Sequence, residues 1–323
     1  MKKVSIIVSV YNGEKFVDEF FDIILRQTYK NTELLFVVDR KTNDRTVEKI
    51  QENAPKFGDV RIVYQEGNGR LGEARNIGLQ NAVGDLLWST DIDDEPIPTF
   101  LEEMVRIQEE NNADSVFCNY IRSEGMRDKV DLDRKYKVRV MDQTEALQAR
   151  RRGQIPLTAW SMVIKKELIR DKGLQFILGG VIEDDDFTYK VLAASDVVCY
   201  YNKPLYYYKF DPEADWRRFP DFESKKRIAF ELISYLREQA PGFADEYARS
   251  WVKMCMHESA RFGRKMFFRL RKDKWFICQL EKYYAKKDLE TVLYIFASPL
   301  YYLVVRSLVT MKYRDKPLFD TDI

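Results

Sequence analysis

Acidic residues crowd the end of an apolar run at residues 84–96, GDLLWSTDIDDEP, where Asp91, Asp93, Asp94 and Glu95 follow almost without a break. Carboxylates this close repel one another unless a cation or a basic side chain neutralises them. Their hard oxygens suit magnesium or manganese bound together with a substrate's phosphates. A second acidic run, Glu183, Asp184, Asp185 and Asp186, opens a helical pattern. A carboxylate there, within reach of a hydroxyl, could take its proton. Both runs also have a plainer reading, because acids are favoured in the first turn of a helix.

The elements that would place these residues alternate in type. Residues 4–10, 33–38, 60–64 and 86–90 are apolar runs of strand length. Residues 16–27, 44–52 and 71–83 have apolar or small residues at helical spacing, and Gly84 is expected at the C′ position of the last of these. Short connections between strand and helix predict an α/β fold: a mostly parallel sheet flanked by helices. Ligands of such sheets bind beyond the carboxyl ends of the strands. The polar residues at those ends, Tyr11, Asn12, Asp39 and Asp91, are therefore expected to converge on one crevice.

Further on, the pattern predicts a helix over 98–111 and a strand over 115–121. A charged surface loop is expected over 122–141, then a helix opened by a capping box of Asp142 and Glu145. Strands are expected at 157–164, 197–201 and 204–210. From Trp216 the alternation gives way to helical spacing alone, so the chain reads as a first domain over 1–215 and a helical C-terminal region over 216–323.

Composition narrows the chemistry. The 323 residues are 45% hydrophobic and 33% charged, enough for a large core, with a net charge of +1. That balance is uneven, since residues 216–323 hold 22 Lys and Arg against 14 Asp and Glu. The cysteines, Cys118, Cys199, Cys255 and Cys278, are too scattered for a disulfide framework or a zinc site, which fits a reducing cytoplasm. With His257 as the lone histidine, a multi-histidine metal site is excluded and a Ser-His-Asp mechanism disfavoured. The opening MKKVSIIVSVYNG resembles a signal peptide only briefly; its apolar run ends after about seven residues with no small-residue cleavage site, and it is read as the first strand.

Several segments in order now resemble family 2 glycosyltransferases, which have the GT-A nucleotide-sugar-binding fold. They are VSIIVSVYNGEKF, FVVDRKTNDRT, QEGNGRLGEARNIGLQNAVGD, STDIDDEPIP, GLQFILGGVIEDDDF and KPLYYYKF. The match is dense over the first hundred residues, moderate over 160–210 and faint beyond. Two departures stand out. Arg40 replaces the second aspartate of the family's base-binding pair, and Lys209-Phe210-Asp211-Pro212 lacks the serine-containing turn of many relatives.

The resemblance implies roles for particular residues. Ser9, Tyr11, Asn12 and Glu14 would surround the base and ribose, Tyr11 by stacking. Asn68 and Arg75 would lie along the donor, with Arg75 facing the diphosphate, the acidic DxD segment or both. Asp39 would accept the imide N–H of a uracil; its plainer role is a strand-end turn cap. Asp91 would reach the ribose or the metal shell and Asp93 would hold Mn²⁺ or Mg²⁺, while Asp94 and Glu95 are left as helix-start acids. Asp184, beside Glu183, would be the general base of a direct, inverting displacement. The implied donor is a nucleotide diphosphate sugar, UDP-sugars foremost, and the implied acceptor a saccharide or a polyprenyl-linked glycan of a surface polysaccharide or glycolipid.

Two other functions compete. A sugar-nucleotide nucleotidyltransferase also uses carboxylate-held metal, but it would open with a glycine-rich, basic phosphate loop where this chain has SVYNGEKF. A silent nucleotide-sugar-binding scaffold would have no need of Asp39, Asp91, Asp93 and Asp184 together. In the C-terminal region, residues 249–287 hold twelve Lys or Arg against three acids, interleaved with Trp, Phe and Met. That pattern suits peripheral contact with the cytoplasmic face of an anionic membrane; the alternative is an ordinary helical subdomain. The apolar run 292–305 is shorter than the ~20 residues of a spanning helix, and no nucleic-acid-binding motif accompanies the basic residues.

Overall fold

The computed structural model describes residues 1–66, 71–122, 135–179, 183–209, 222–261 and 264–284, with 294, 299 and 301–303. The chain divides into two compact units, Met1–Tyr235 and Leu236–Ile323. The boundary expected near residue 216 lies among residues 210–221, outside those described.

The first unit begins with β1 (Val4–Val10), α1 (Glu14–Leu25), β2 (Thr32–Asp39), α2 (Thr46–Phe57), β3 (Val60–Gln65), α3 (Leu71–Asn81) and β4 (Leu86–Asp91). The continuous Val, Ile, Leu and Phe runs of β1 and β2 are buried on both faces, as parallel strands between helices must be. On one face Ile6, Val8, Phe36 and Trp88 pack with Phe20, Phe21 and Ile24 of α1. Then follow β5 (Glu95–Pro96), α4 (Phe100–Asn111), β6 (Ser115–Arg122), β7 (Val138–Met141), α5 (Gln143–Arg151), β8 (Met162–Lys165), α6 (Lys166–Asp171), α7 (Glu183–Ala194) and β9 (Val198–Tyr208).

The nine strands described form one sheet in the order β3-β2-β1-β4-β8-β6-β9-β5, with β7 also paired to β9. β1, β2, β3 and β4 pair in parallel, as do β6 and β9, while the short β5, β7 and β8 pair antiparallel. This is a mixed but mostly parallel α/β sheet flanked by helices. Because β8 runs antiparallel to both β4 and β6, the carboxyl ends of β1, β4, β6 and β9 all point the same way. Ser9 at the end of β1 stands in register with Asp91 at the end of β4.

Several local expectations are corrected. Gly84 is not a left-handed C′ residue, since α3 ends at Asn81 and positive φ is found only at Gly58, Gly153, Gly173 and Gly179 among the described glycines. Gly84 is there for close approach: a Cβ would stand 2.7 Å from the Ser5 nitrogen and 2.8 Å from the Lys3 oxygen. Asp94 and Glu95 do not start a helix, because Glu95 and Pro96 form β5 and α4 begins only at Phe100. The two strands expected around Pro204 are one continuous β9; shifts in register on either side of Asn119 in β6 accommodate the proline. The segment expected as one strand from 157 is a 3₁₀ turn over Ala159–Ser161 followed by β8. The charged loop contains β7 at its end; residues 123–134 of it lie outside those described.

The C-terminal unit takes in the end of α8 (Phe222–Gln239), then α9 (Pro241–Arg261), α10 (Arg264–Leu270) and α11 (Lys274–Tyr284). Trp251, Met256, Phe267 and Phe276, all part of the basic-aromatic pattern, are buried. Phe267 also touches Tyr294, with ring centroids 5.2 Å apart. Most of the 292–305 run lies outside the described residues. No described helix is long and apolar enough to cross a membrane.

Candidate active site

Arg75 is the centre of a charged cluster beyond the end of β4. It projects from α3, a helix with little apolar periodicity of its own, and is only 3% exposed. Its Nη2 lies 3.3 Å from Asp91 Oδ1, and its Nη1 lies 3.4 Å from Glu183 Oε1 and bonds Asp184. One guanidinium thus joins the end of β4 to the first turn of α7, using the fork of donors that a lysine lacks. Close docking of α3 makes this reach possible. A Cβ on Gly72 would come within 2.7 Å of the Ile177 carbonyl and 3.6 Å of Glu183 Cβ.

Asn76, the next residue on α3, fixes the facing segment. Its Nδ2 donates to the Phe176 oxygen at 2.8 Å, and its Oδ1 accepts from the Phe176 nitrogen at 2.8 Å. The Phe176 ring lies 5.3 Å from the Arg75 guanidinium and stacks on Phe187 of α7. The helix carrying Glu183 and Asp184 is thereby held against the helix carrying Arg75.

The electrostatics follow from this enclosure. Burial opposes the charge on Arg75, but Asp184, Asp91 and Glu183 outweigh it and hold the guanidinium firmly protonated. Burial also pushes the Asp184 carboxyl up to about 7; Arg75 pulls it down, while Glu183 and Asp91 push it further up. The Ala159 backbone amide also favours the Asp184 carboxylate. The other two acids of the run are separated from this cluster. Asp186 is fully buried and pairs with Lys190 at 2.6 Å, and Asp185 has Arg150 and Lys225 as its basic neighbours.

At the acidic turn after β4, Asp93 is half-buried, and its carboxyl is raised by burial and by Asp91, against the pull of Lys209 and Lys15. Among the described residues no group of three or more Asp, Glu, His or Cys is placed to hold a metal. Asp91 and Asp93 nevertheless fit a cation that arrives with substrate phosphates, since magnesium-type sites of that kind need only one or two protein carboxylates. The repulsion between these two is what such a cation would relieve.

The remaining candidates line the ends of β1 and β2. Tyr11 is 61% exposed, leaving its ring open for stacking. Asn12 has φ 47° and its Oδ1 accepts from Asn43 N at 3.0 Å, which bends the chain sharply out of β1. Glu14 accepts from Arg45 N at 3.2 Å, and Asp39 caps its own turn by accepting from Lys41 N at 2.8 Å. Ser9 Oγ is buried without a hydrogen-bond partner. Arg40 points away to Glu66, 2.7 Å distant, and lies over Tyr64. Asn68 lies outside the described residues.

Sequence reasoning missed Asn76, Phe176 and an aromatic stack beside the acidic turn. Trp160 stacks on Tyr206 at 4.4 Å and on Tyr208 at 5.5 Å, and the Tyr206 hydroxyl bonds Thr90 Oγ1 at 2.9 Å. Asn76 was within reach, as a polar residue adjoining Arg75 inside a helix whose small residues already implied close docking.

The model of glycosyl transferase family 2 matches residues 5–172, more than half of the chain and all of the sheet from β1 to β8. The chain belongs to this family. As a family 2 glycosyltransferase it is a transferase enzyme, and its relatives agree. It is 32% identical to the glycosyltransferase GlyA of Streptococcus pneumoniae over 218 residues, which cover 64% of this chain but 30% of that one. The structure of S. aureus TarS in complex with UDP-GlcNAc is 18% identical with a TM-score of 0.68, and the match covers 97% of this chain and 89% of that one. A mannosyltransferase from Pyrobaculum calidifontis, solved with GDP-Man and Mn²⁺, is 16% identical with a TM-score of 0.53 over 98% of this chain and 88% of that one. At these identities the two structures speak to the GT-A fold that this family 2 chain shares.

Proposed function

We propose that this chain is an inverting glycosyltransferase that moves a sugar from a nucleotide diphosphate sugar, a UDP-sugar foremost, to a hydroxyl of a saccharide or lipid-linked acceptor in surface polysaccharide or glycolipid synthesis. The observation that carries the reading is the Arg75 cluster, in which one cation gathers the DxD aspartate Asp91 and the Glu183–Asp184 pair. A donor diphosphate and an acceptor base belong on the two sides of such a cluster. The UDP-GlcNAc bound to TarS favours uridine over other nucleotides.

In this reading Asp184 takes the proton of the acceptor hydroxyl, whose oxygen attacks the anomeric carbon. The bond from that carbon to the diphosphate breaks on the opposite face, so configuration inverts. A carboxyl poised near neutrality is suited to this task. Glu183 would keep Arg75 and Asp184 in place, and Arg75 would take up negative charge of the departing nucleotide. Ser9, Tyr11, Asn12, Glu14 and Asp39 would hold base and ribose, with Asn68 nearby. Asp91 and Asp93 would hold Mn²⁺ or Mg²⁺, which would supply further neutralisation of the leaving diphosphate.

The basic C-terminal region would bring the enzyme to the cytoplasmic face of an anionic membrane, where a polyprenyl-linked acceptor resides. Since Trp251, Met256, Phe267 and Phe276 are buried, attraction there would rest on Lys and Arg more than on aromatic insertion.

Calorimetry of the full chain with UDP-, GDP- and CDP-sugars, with and without manganese, tests the proposal. Manganese-strengthened binding of one UDP-sugar is expected; equal indifference to all of them would sink it.

A further inference from the structure

In the run Asp91-Ile92-Asp93-Asp94, spacing alone does not tell a metal ligand from a neighbour. The surroundings of Asp94 do. It is 1% exposed, whereas the Asp91 side chain is 27% exposed. Asp94 Oδ1 accepts the backbone N–H of Lys209 at 2.9 Å, and the enclosed carboxyl also lies against the Tyr206 hydroxyl. A cation that arrives with a substrate's phosphates needs accessible oxygens, and Asp94 has none to offer.

What Asp94 does touch is the exit of β9. Lys209 is the residue just after β9, and its Nζ is also anchored to Glu19 of α1 at 2.8 Å. On the far side of the turn, Glu95 and Pro96 pair with Tyr207 and Tyr206. On the near side, Thr90 bonds the Tyr206 hydroxyl. The turn bearing Asp91 and Asp93 is therefore spanned at both ends by β9, and Asp94 is the cross-link in its middle.

We propose that Asp94 is a positioning residue that fastens the turn carrying Asp91 and Asp93 to Lys209, so that these two carboxylates are presented together to a divalent cation. The inference rests on the nucleotide-sugar reading above. Groups that orient metal ligands typically change metal affinity about 10–100-fold when removed.

The test is calorimetry of UDP on the full chain with and without Mn²⁺, together with thermal melting and amide exchange at Lys209. In Asp94→Ala, UDP binding in Mn²⁺ is expected to weaken about 10–100-fold. Binding without metal should stay as in wild type, the melting temperature should fall modestly because the Lys209 N–H loses its acceptor, and the Lys209 amide should exchange faster. Asp94→Asn keeps an oxygen for Lys209 and should bind within about threefold of wild type in Mn²⁺, because only the charge is lost and not the acceptor. An Asp94→Ala protein that binds Mn²⁺ and UDP like wild type overturns the proposal. So does an Asp94→Asn protein as weak as Asp94→Ala, which would make Asp94 a ligand in its own right. Wild-type protein with no manganese-dependent UDP binding would overturn the nucleotide reading as well, so the two failures are distinct.

Discussion

Asn76 and Phe176 exchange two hydrogen bonds, each 2.8 Å long, across a hundred residues of chain. Both backbone groups of Phe176 are thereby satisfied by one side chain on α3, and the helix bearing Asp184 is set against the helix bearing Arg75. Asn76→Ala leaves that buried N–H and C=O unpaired and is expected to destabilise the first unit by about 2–4 kcal/mol. Turnover should fall as well, because Phe176 supports the guanidinium. Urea unfolding followed by intrinsic fluorescence, alongside a transfer assay, checks both. Asn76→Asp should fall between the two, since it keeps the acceptor for Phe176 N and sets a carboxylate against Phe176 O.

That clamp also marks where sequence reasoning stops. The parallel half of the sheet was legible because β1, β2 and β4 are apolar on both faces and end in polar residues, a pattern that only buried strands require. That Asp91 and Asp184 belong to one site was implied by the family resemblance of their segments and not by the acidic runs themselves; their meeting on Arg75 came from the structure. Asp94 reads in the sequence as a helix-start acid beside the metal candidate Asp93; its enclosure against Lys209 was not legible, because adjacent aspartates differ only in what surrounds them. Nor was β9, whose Asn202-Lys203-Pro204 reads as a turn until the irregular register of β6 is seen beside it.

Gly84 gives a prediction remote from the chemistry. An added methyl there meets backbone atoms of Lys3 and Ser5 at under 3 Å, and backbone yields less readily than a side-chain tip. Gly84→Ala should cost about 1–3 kcal/mol of stability while leaving the KM for donor unchanged, as read by a melting curve and steady-state kinetics. An Ala variant as stable as wild type would return Gly84 to an ordinary loop position.

Arg75 should separate charge from shape. Arg75→Met leaves Asp91, Glu183 and Asp184 facing one another without a cation, and stability should drop by about 3–5 kcal/mol. Arg75→Lys restores the charge but cannot reach the carboxylates of β4 and α7 at once. Most of the lost stability should return in the lysine variant, while kcat stays at least about tenfold down, a loss of ~1.4 kcal/mol in transition-state stabilisation. Full turnover in Arg75→Lys would mean that a point charge suffices.

Asp184 ties activity and stability to the same proton in opposite directions. Its carboxyl is raised to about 7 from an ordinary value of 3.8. Between these values the folded protein holds a proton that the unfolded chain releases, so stability from this group is complete below pH 3.8 and is lost as pH rises through about 7. As the proposed base, Asp184 works only once that proton has left. The kcat/KM profile should therefore climb through an apparent pKa near 7. Over the same range the melting temperature should fall. Asp184→Asn should abolish turnover with donor affinity nearly intact, and it should flatten this part of the melting profile. A rate profile with no rise between pH 5 and 8 in the wild-type enzyme, about where a base of this pKa must act, would remove Asp184 from that role.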